Sequence, residues 1–263
     1  MNDIRLKTNL KPSNIADRLQ YNPSIIEFYL GETDLLQPEL IRERIRELQS
    51  KGIRVYLHHP PKVQGKRLDI LSRDEEVRTF YHRSSEQLAM LCHEEDVRCV
   101  IHAHYSHTES SGRVGPSETR RMRDEIRSIL EYGRDVFLWE DTIEGLFAYA
   151  NPYLMEELVV PLNLPLNVDV SHTFISFRGD NDKLRQTLEQ THPYAQYYHL
   201  VDSFGLVHDS LPLGEGLIDW AMVKPYVADR DFIFEVGLAG DHSDCTPMIR
   251  SAEFFRSIQP IYR

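Results

Sequence analysis

A chain of 263 residues with 41% hydrophobic and 27% charged residues has the balance of a folded globular protein and is too apolar for a disordered one. Its formal net charge of -11 argues against general binding to nucleic acid, because contact with a phosphate backbone relies on clustered Lys and Arg. Cys92, Cys99 and Cys245 lack CxxC spacing, which disfavours a disulfide framework and a cysteine-rich zinc site and fits a reducing cytoplasm.

In chain order, the opening MNDIRLKTNLKPSN lacks the basic-then-apolar pattern of a secretory leader. No apolar run approaches the roughly 20 residues needed to span a bilayer, so no membrane contact is expected. Short apolar runs then predict eight strands, at 4–8, 25–30, 53–58, 97–104, 135–141, 166–170, 197–202 and 231–236. Between them lie helical patterns. QPELIRERIRELQSKG carries Pro38 in its first turn, apolar Leu40, Ile41, Ile45 and Leu48 at helical spacing, and Gly52 as a stop. EEVRTFYHRSSEQLAMLCHEE, PSETRRMRDEIRSILEYG, TIEGLFAYANPYLMEEL, NDKLRQTLEQ, GLIDWAMVKPYV and TPMIRSAEFFRSI follow the same logic, with Pro152 interrupting the third of these. Arg113, Arg120, Arg121 and Arg123 form either a local basic groove or a solvated helix face paired with Glu118, Asp124 and Glu125, and the second reading is preferred.

Strands separated by helices imply parallel pairing with helices covering the sheet. Eight such units in this length match an α/β chain folded as a (β/α)8 TIM barrel, read as a single domain over 1–263. The competing open doubly wound sheet would carry a glycine-rich phosphate loop after its first strand, and KTNLKPSN contains no glycine.

Barrel active sites form at the carboxyl ends of the strands. There the third strand ends in His58 and His59, the fourth in His102 and His104, which are expected to share a face, and the fifth in Glu140. The sixth ends in Asp169 and His172, the seventh in His199 and Asp202, and the eighth in Glu235. A lone histidine or aspartate at such a place is ordinarily a hydrogen-bonded structural residue or a helix cap. Carboxylates inside apolar runs such as FLWED and FIFEV, however, are costly to bury unpaired, and a divalent cation is the economical partner. Mixed Glu, Asp and His suit zinc, manganese or divalent iron, whereas calcium prefers oxygen alone. Asp169 and His172 serve one cavity only if the strand bends or ends between them, and it is expected to do so.

The motifs LHHP, VIHAH, LWEDT, DVSH, YHLVDS followed by PLGEG, and FEV resemble, in this order, the xylose isomerase-like superfamily of TIM barrels. The resemblance runs from the third strand to the eighth. In the epimerase branch it implies one metal held by Glu140, Asp169, His199 and Glu235, with His172 contacting substrate and with Glu140 and Glu235 exchanging a proton beside the carbonyl of a sugar. In the branch of endonuclease IV-type abasic-site nucleases, it implies that His58 and His102 bind substrate or a further metal, and that His172 joins an Asp-x-His motif before GEG. Here that motif is altered: LVHDSLPLGEG places His208 and Ser210 at its two positions, leaving that site degraded or rebuilt with His208 and Asp209. The leading expectation is a divalent-metal-dependent sugar isomerase or epimerase with a small sugar-like substrate, with a homodimer in keeping with the family. The rivals are a zinc phosphodiesterase of the nuclease type and a non-catalytic ligand-binding barrel.

Overall fold

The computed structural model describes residues 4–259. Its strands are β1 (Arg5–Thr8), β2 (Ile25–Tyr29), β3 (Arg54–His58), β4 (Lys62–Val63), β5 (Lys66–Arg67), β6 (Arg98–His102), β7 (Phe137–Glu140), β8 (Leu166–Asp169), β9 (Ala195–Leu200) and β10 (Asp231–Phe234). β4 and β5 form a small antiparallel hairpin that the hydrophobic pattern did not predict. Its turn uses Gln64 and Gly65, both at positive φ, as a two-residue hairpin turn requires. The other strands pair in parallel, and because β1 pairs with both β2 and β10 the sheet closes into a barrel. Closure removes the open-sheet alternative.

The helices are α1 (Pro12–Leu19), α2 (Pro38–Gln49), α3 (Glu75–Glu95), α4 (Pro116–Leu130), α5 (Val160–Leu162), α6 (Val170–Ser176), α7 (Asn181–Thr191), α8 (Trp220–Val227) and α9 (Thr246–Ser257). Their starts follow local chemistry. Proline occupies the first turn of α1, α2, α4 and α9, Asp74 caps α3 through Glu76 N–H at 3.0 Å, and Asp180 caps α7 through Asp182 N–H at 2.9 Å. In α2 the buried stripe is Ile41, Ile45 and Leu48, the face that packs inward.

The helix expected over TIEGLFAYANPYLMEEL forms only at its end. Residues 142–153 run as turns around Gly145, whose φ of +93° places the chain against His104 and the backbone of Ser111. Phe147 N–H then donates to His104 Nε2 at 3.1 Å, a tertiary tie that helical periodicity cannot reveal. The following turn, Met155–Val159, is wide and π-type, and leads into α5. Pro161 has no N–H to give Glu157 O, and Arg123 Nη1 reaches that carbonyl instead at 3.4 Å. Neither α1 nor α6 was expected from the pattern. No helix among the described residues is long and apolar enough to cross a membrane.

Inside the barrel, Ile25, Tyr56, Val100, Leu138, Tyr197 and Ile233 pack as a cluster separate from the main core beneath the helices. They form a plug of inward-facing side chains, one from each of six strands.

Candidate metal centre

Side chains on a strand return to the same face every second residue. Two residues beyond the plug, the same six strands present Glu27, His58, His102, Glu140, His199 and Glu235, and Lys7 on β1 and Asp169 on β8 join them. The change from an apolar layer to a polar one, within one period, sets the floor of the site. Register supports it: Lys7 lies opposite Glu27, His102 opposite Glu140, and Asp169 opposite His199.

Glu140, Asp169, His199 and Glu235 each offer a ligand atom, and these atoms lie within 4.8 Å of one another. Asp169 divides its labour. β8 ends at this residue and α6 begins at the next, so its Oδ1 caps α6 by accepting from His172 N–H at 2.8 Å. Its Oδ2 is buried without a hydrogen-bond donor, whereas Glu140 Oε2 faces His58 and His102 and Glu235 Oε2 meets His199 Nδ1. Three carboxylates gathered with one imidazole, with Asp169 Oδ2 buried and lacking a donor, make a set that fits a cation. His199 turns Nε2 to Glu27 Oε2 at 2.9 Å and Nδ1 towards Glu140 Oε1 at 3.2 Å and Glu235 Oε2. A carboxylate behind one imidazole nitrogen is the usual device for aiming the other at a metal. The four residues therefore fit a divalent ion, with the charge-neutral form of His199 as ligand.

A second group shares Glu140: His58 Nε2 and His102 Nε2 lie 3.3 Å and 3.1 Å from its Oε2. His172 donates from Nδ1 to Asp141 O at 2.9 Å, and its ring centre is 4.9 Å from that of His208. His208 belongs to neither group of candidate ligands among the described residues. Asp209 accepts from Phe204 N–H at 3.0 Å, a loop contact.

Electrostatics follow from this crowding. Burial works against charge on every member, yet His102 and His199 together hold Glu140 well below the ordinary carboxylate range. His199 and Lys7 do the same for Glu235. Burial also opposes a charged His172, but Asp169, Glu140 and Asp141 push it up to about 9. Burial pushes His102 down to about 4 despite Glu140.

Other rim residues turn out to be structural. His59 sits behind the sheet between Pro60 O and Ser84 Oγ, at 3.0 and 2.9 Å. His104 was expected to share a face with His102, but β6 stops at His102 and His104 serves the loop instead. Asp202 accepts from Ser203 N–H, Gly214 N–H and Trp220 Nε1, each at 2.8 Å. Of the arginines, Arg120 pairs with Glu157 at 2.6 Å and Arg123 with Asp124 at 3.1 Å. Lys7 and Glu27 are additions that the strand-end motifs did not point to. Glu27 carried a signal, a carboxylate inside the apolar run IIEFY, whereas Lys7 in RLKT has no such contrast.

The closed barrel and its rim define a TIM barrel whose carboxyl-end mouth is equipped for a divalent cation. The chain belongs to the xylose isomerase-like TIM barrel family, whose profile matches residues 24–258. Among solved structures it is similar to a D-tagatose 3-epimerase-like protein, at 17% identity over 96% of each chain with a TM-score of 0.77. It is also similar to a Thermus thermophilus protein soaked with ZnCl2, at 21% identity over 97% of each chain with a TM-score of 0.73. A third is 3-keto-D-glucoside 4-epimerase from E. coli, at 16% identity over 97% of this chain and 99% of that one, with a TM-score of 0.68. At these identities the likeness establishes the shared barrel. Among curated proteins, no sequence matches the chain.

Proposed function

We propose that this protein is a divalent-metal-dependent isomerase or epimerase that moves a proton at the carbon next to the carbonyl of a sugar or sugar derivative. The observation that carries the reading is the gathering of Glu140, Asp169, Glu235 and His199 at the barrel mouth, with ligand atoms within 4.8 Å of one another and Asp169 Oδ2 buried without a donor. Similarity to a D-tagatose 3-epimerase-like protein and to a 3-keto-D-glucoside 4-epimerase supports the substrate class, and similarity to a zinc-soaked protein supports the cation.

Glu140, Asp169, His199 and Glu235 would hold the ion, which when bound supplies polarisation of a carbonyl oxygen. Asp169 and His199 are anchors, fixed by the α6 cap and by Glu27. Glu140 and Glu235 stand on β7 and just past β10, three strands apart around the barrel, so they approach a ligand in the mouth from different sides. Both are held ionised by their cationic neighbours, the state in which a carboxylate can accept a proton. His172 is held at Nδ1 by Asp141 O, which leaves Nε2 as the nitrogen to meet a substrate hydroxyl. A cavity of about 730 Å³ opens beside Glu235 and Lys7 and is walled by Tyr29, Leu40, Leu238 and Met248.

The test is solvent deuterium uptake by D-fructose, D-tagatose and D-psicose with zinc-, manganese- or iron-loaded protein. Glu235→Gln is expected to slow uptake by about 100-fold or more with the fold intact. Equal uptake in that variant, with metal content matched, would sink the proton-transfer role.

The group formed by His58, His102 and Glu140 favours a second reading, a multi-zinc phosphodiesterase of the nuclease type. Two or more zinc ions per chain together with cleavage of DNA at an abasic site would select it. The paired arginines and the loop contact of Asp209 favour the sugar reading.

A further inference from the structure

We propose that Lys7 is a positioning residue that fixes which oxygen of Glu235 faces the cation and which is left for the proton. The inference rests on the metal-binding part of the function proposed for this site. Lys7 is buried in β1 with its ammonium 3.2 Å from Glu27 Oε1 and in contact with Glu235 Oε1. Its register partner across the sheet is Glu27, whose Oε2 takes His199 Nε2 at 2.9 Å. One ammonium thus holds two carboxylates, each by Oε1, and each then presents Oε2 to His199, Glu27 to its Nε2 and Glu235 to its Nδ1.

The consequence concerns denticity. A glutamate free to rotate about its last torsion can grip a cation with both oxygens. Lys7 occupies Oε1, so Glu235 is restricted to one ligand bond, and Oε1 is retained beside the cavity that both residues line. With a cation bound, Glu235 would hold it through one oxygen and keep the other, on the Lys7 side, for the proton. Tyr29, whose ring lies 5.3 Å from Lys7 Nζ, walls this ammonium on the cavity side.

Cobalt(II) reads this directly, because its visible bands report coordination number and geometry. Wild-type, Lys7→Met and Lys7→Gln proteins, stripped of metal and loaded with one equivalent of Co(II), are compared by absorption, with far-UV circular dichroism to check the fold. Expected are weaker, blue-shifted bands in both neutral variants, as Glu235 takes up two-oxygen binding, with Co(II) still bound. Deuterium uptake should fall by about 100-fold in the same samples. Lys7→Arg, which restores a donor and a charge, should return the bands to the wild-type position. Wild-type bands in a folded, Co(II)-loaded neutral variant overturn the inference, and so does loss of Co(II) from both neutral variants, which would make Lys7 a structural support alone. A wild-type chain that takes up no Co(II) overturns the metal reading itself, and is told apart from these results by that single sample.

Discussion

His59 is buried beside two other histidines, yet no carboxylate reaches it, so burial pushes its imidazole down to about 3. The folded state therefore refuses a proton that the unfolded chain accepts near pH 6.5. Stability from this residue is complete above that pH and is lost as pH falls through the window from 6.5 towards 3. Between pH 7 and pH 5 the loss is about 2 kcal/mol by linkage. Urea unfolding of metal-free protein at those two pH values should show a gap smaller by about that amount in His59→Gln than in wild type. An equal gap in both proteins would mean that His59 is protonated in the fold. His58, one residue earlier, faces Glu140 from inside the barrel. The LHHP motif shows both imidazoles, but only the sheet register says which one belongs to the mouth. For Glu140 and Glu235 the sequence contrast pointed to the barrel mouth, because a carboxylate inside an apolar strand is tolerated only where a buried partner compensates it.

Between strand and helix, side chains that cap or bind loop backbone decide where the site residues stand. Asp202 gathers the N–H groups of Ser203 and Gly214 from the segment between β9 and α8 and the indole N–H of Trp220 at the start of α8, and Asp202 and Leu211 exchange backbone hydrogen bonds at 2.9 and 3.0 Å. That segment carries His208 to the cavity wall. Asp202→Ala strands these buried donors and should cost about 3 kcal/mol in denaturant unfolding. A change below about 0.5 kcal/mol would show that the loop holds itself. The helices capped by Asp74 and Asp180 were legible, because cap and apolar stripe are local in sequence. The turns over 142–153 were not, since His104 and Ser110 from another loop supply their hydrogen bonds. Asp169 belongs to both kinds. The cap is readable from DVSH, whereas the donor-free Oδ2 exists only because β8 brings it beside His199.

Seven strands and the residue that follows β10 each place one polar side chain at the same level, and the ring they form contains four carboxylates, three imidazoles and one ammonium. Barrel closure forces these groups together whatever their mutual repulsion, so the metal-free fold carries a cost that a cation relieves. Binding to the folded state alone adds about 4 kcal/mol at a thousandfold excess over the dissociation constant. For a chain of this size each kcal/mol moves the melting temperature by roughly 2 to 4 °C. Zinc or manganese added to chelator-stripped protein at pH 7 should therefore raise the melting point by about 8 °C or more. The gain should shrink at pH 5, because protons compete for Asp169, whose carboxyl burial and the neighbouring Glu140 hold above the ordinary range, and for His199, which its carboxylates hold well above the usual imidazole range. Glu140→Gln should abolish most of the gain at pH 7 by removing the carboxylate shared by both ligand groups. A melting point indifferent to metal at either pH would remove the cation from the site, and the ring would then be a network of buried charges balanced by Lys7 and the histidines alone.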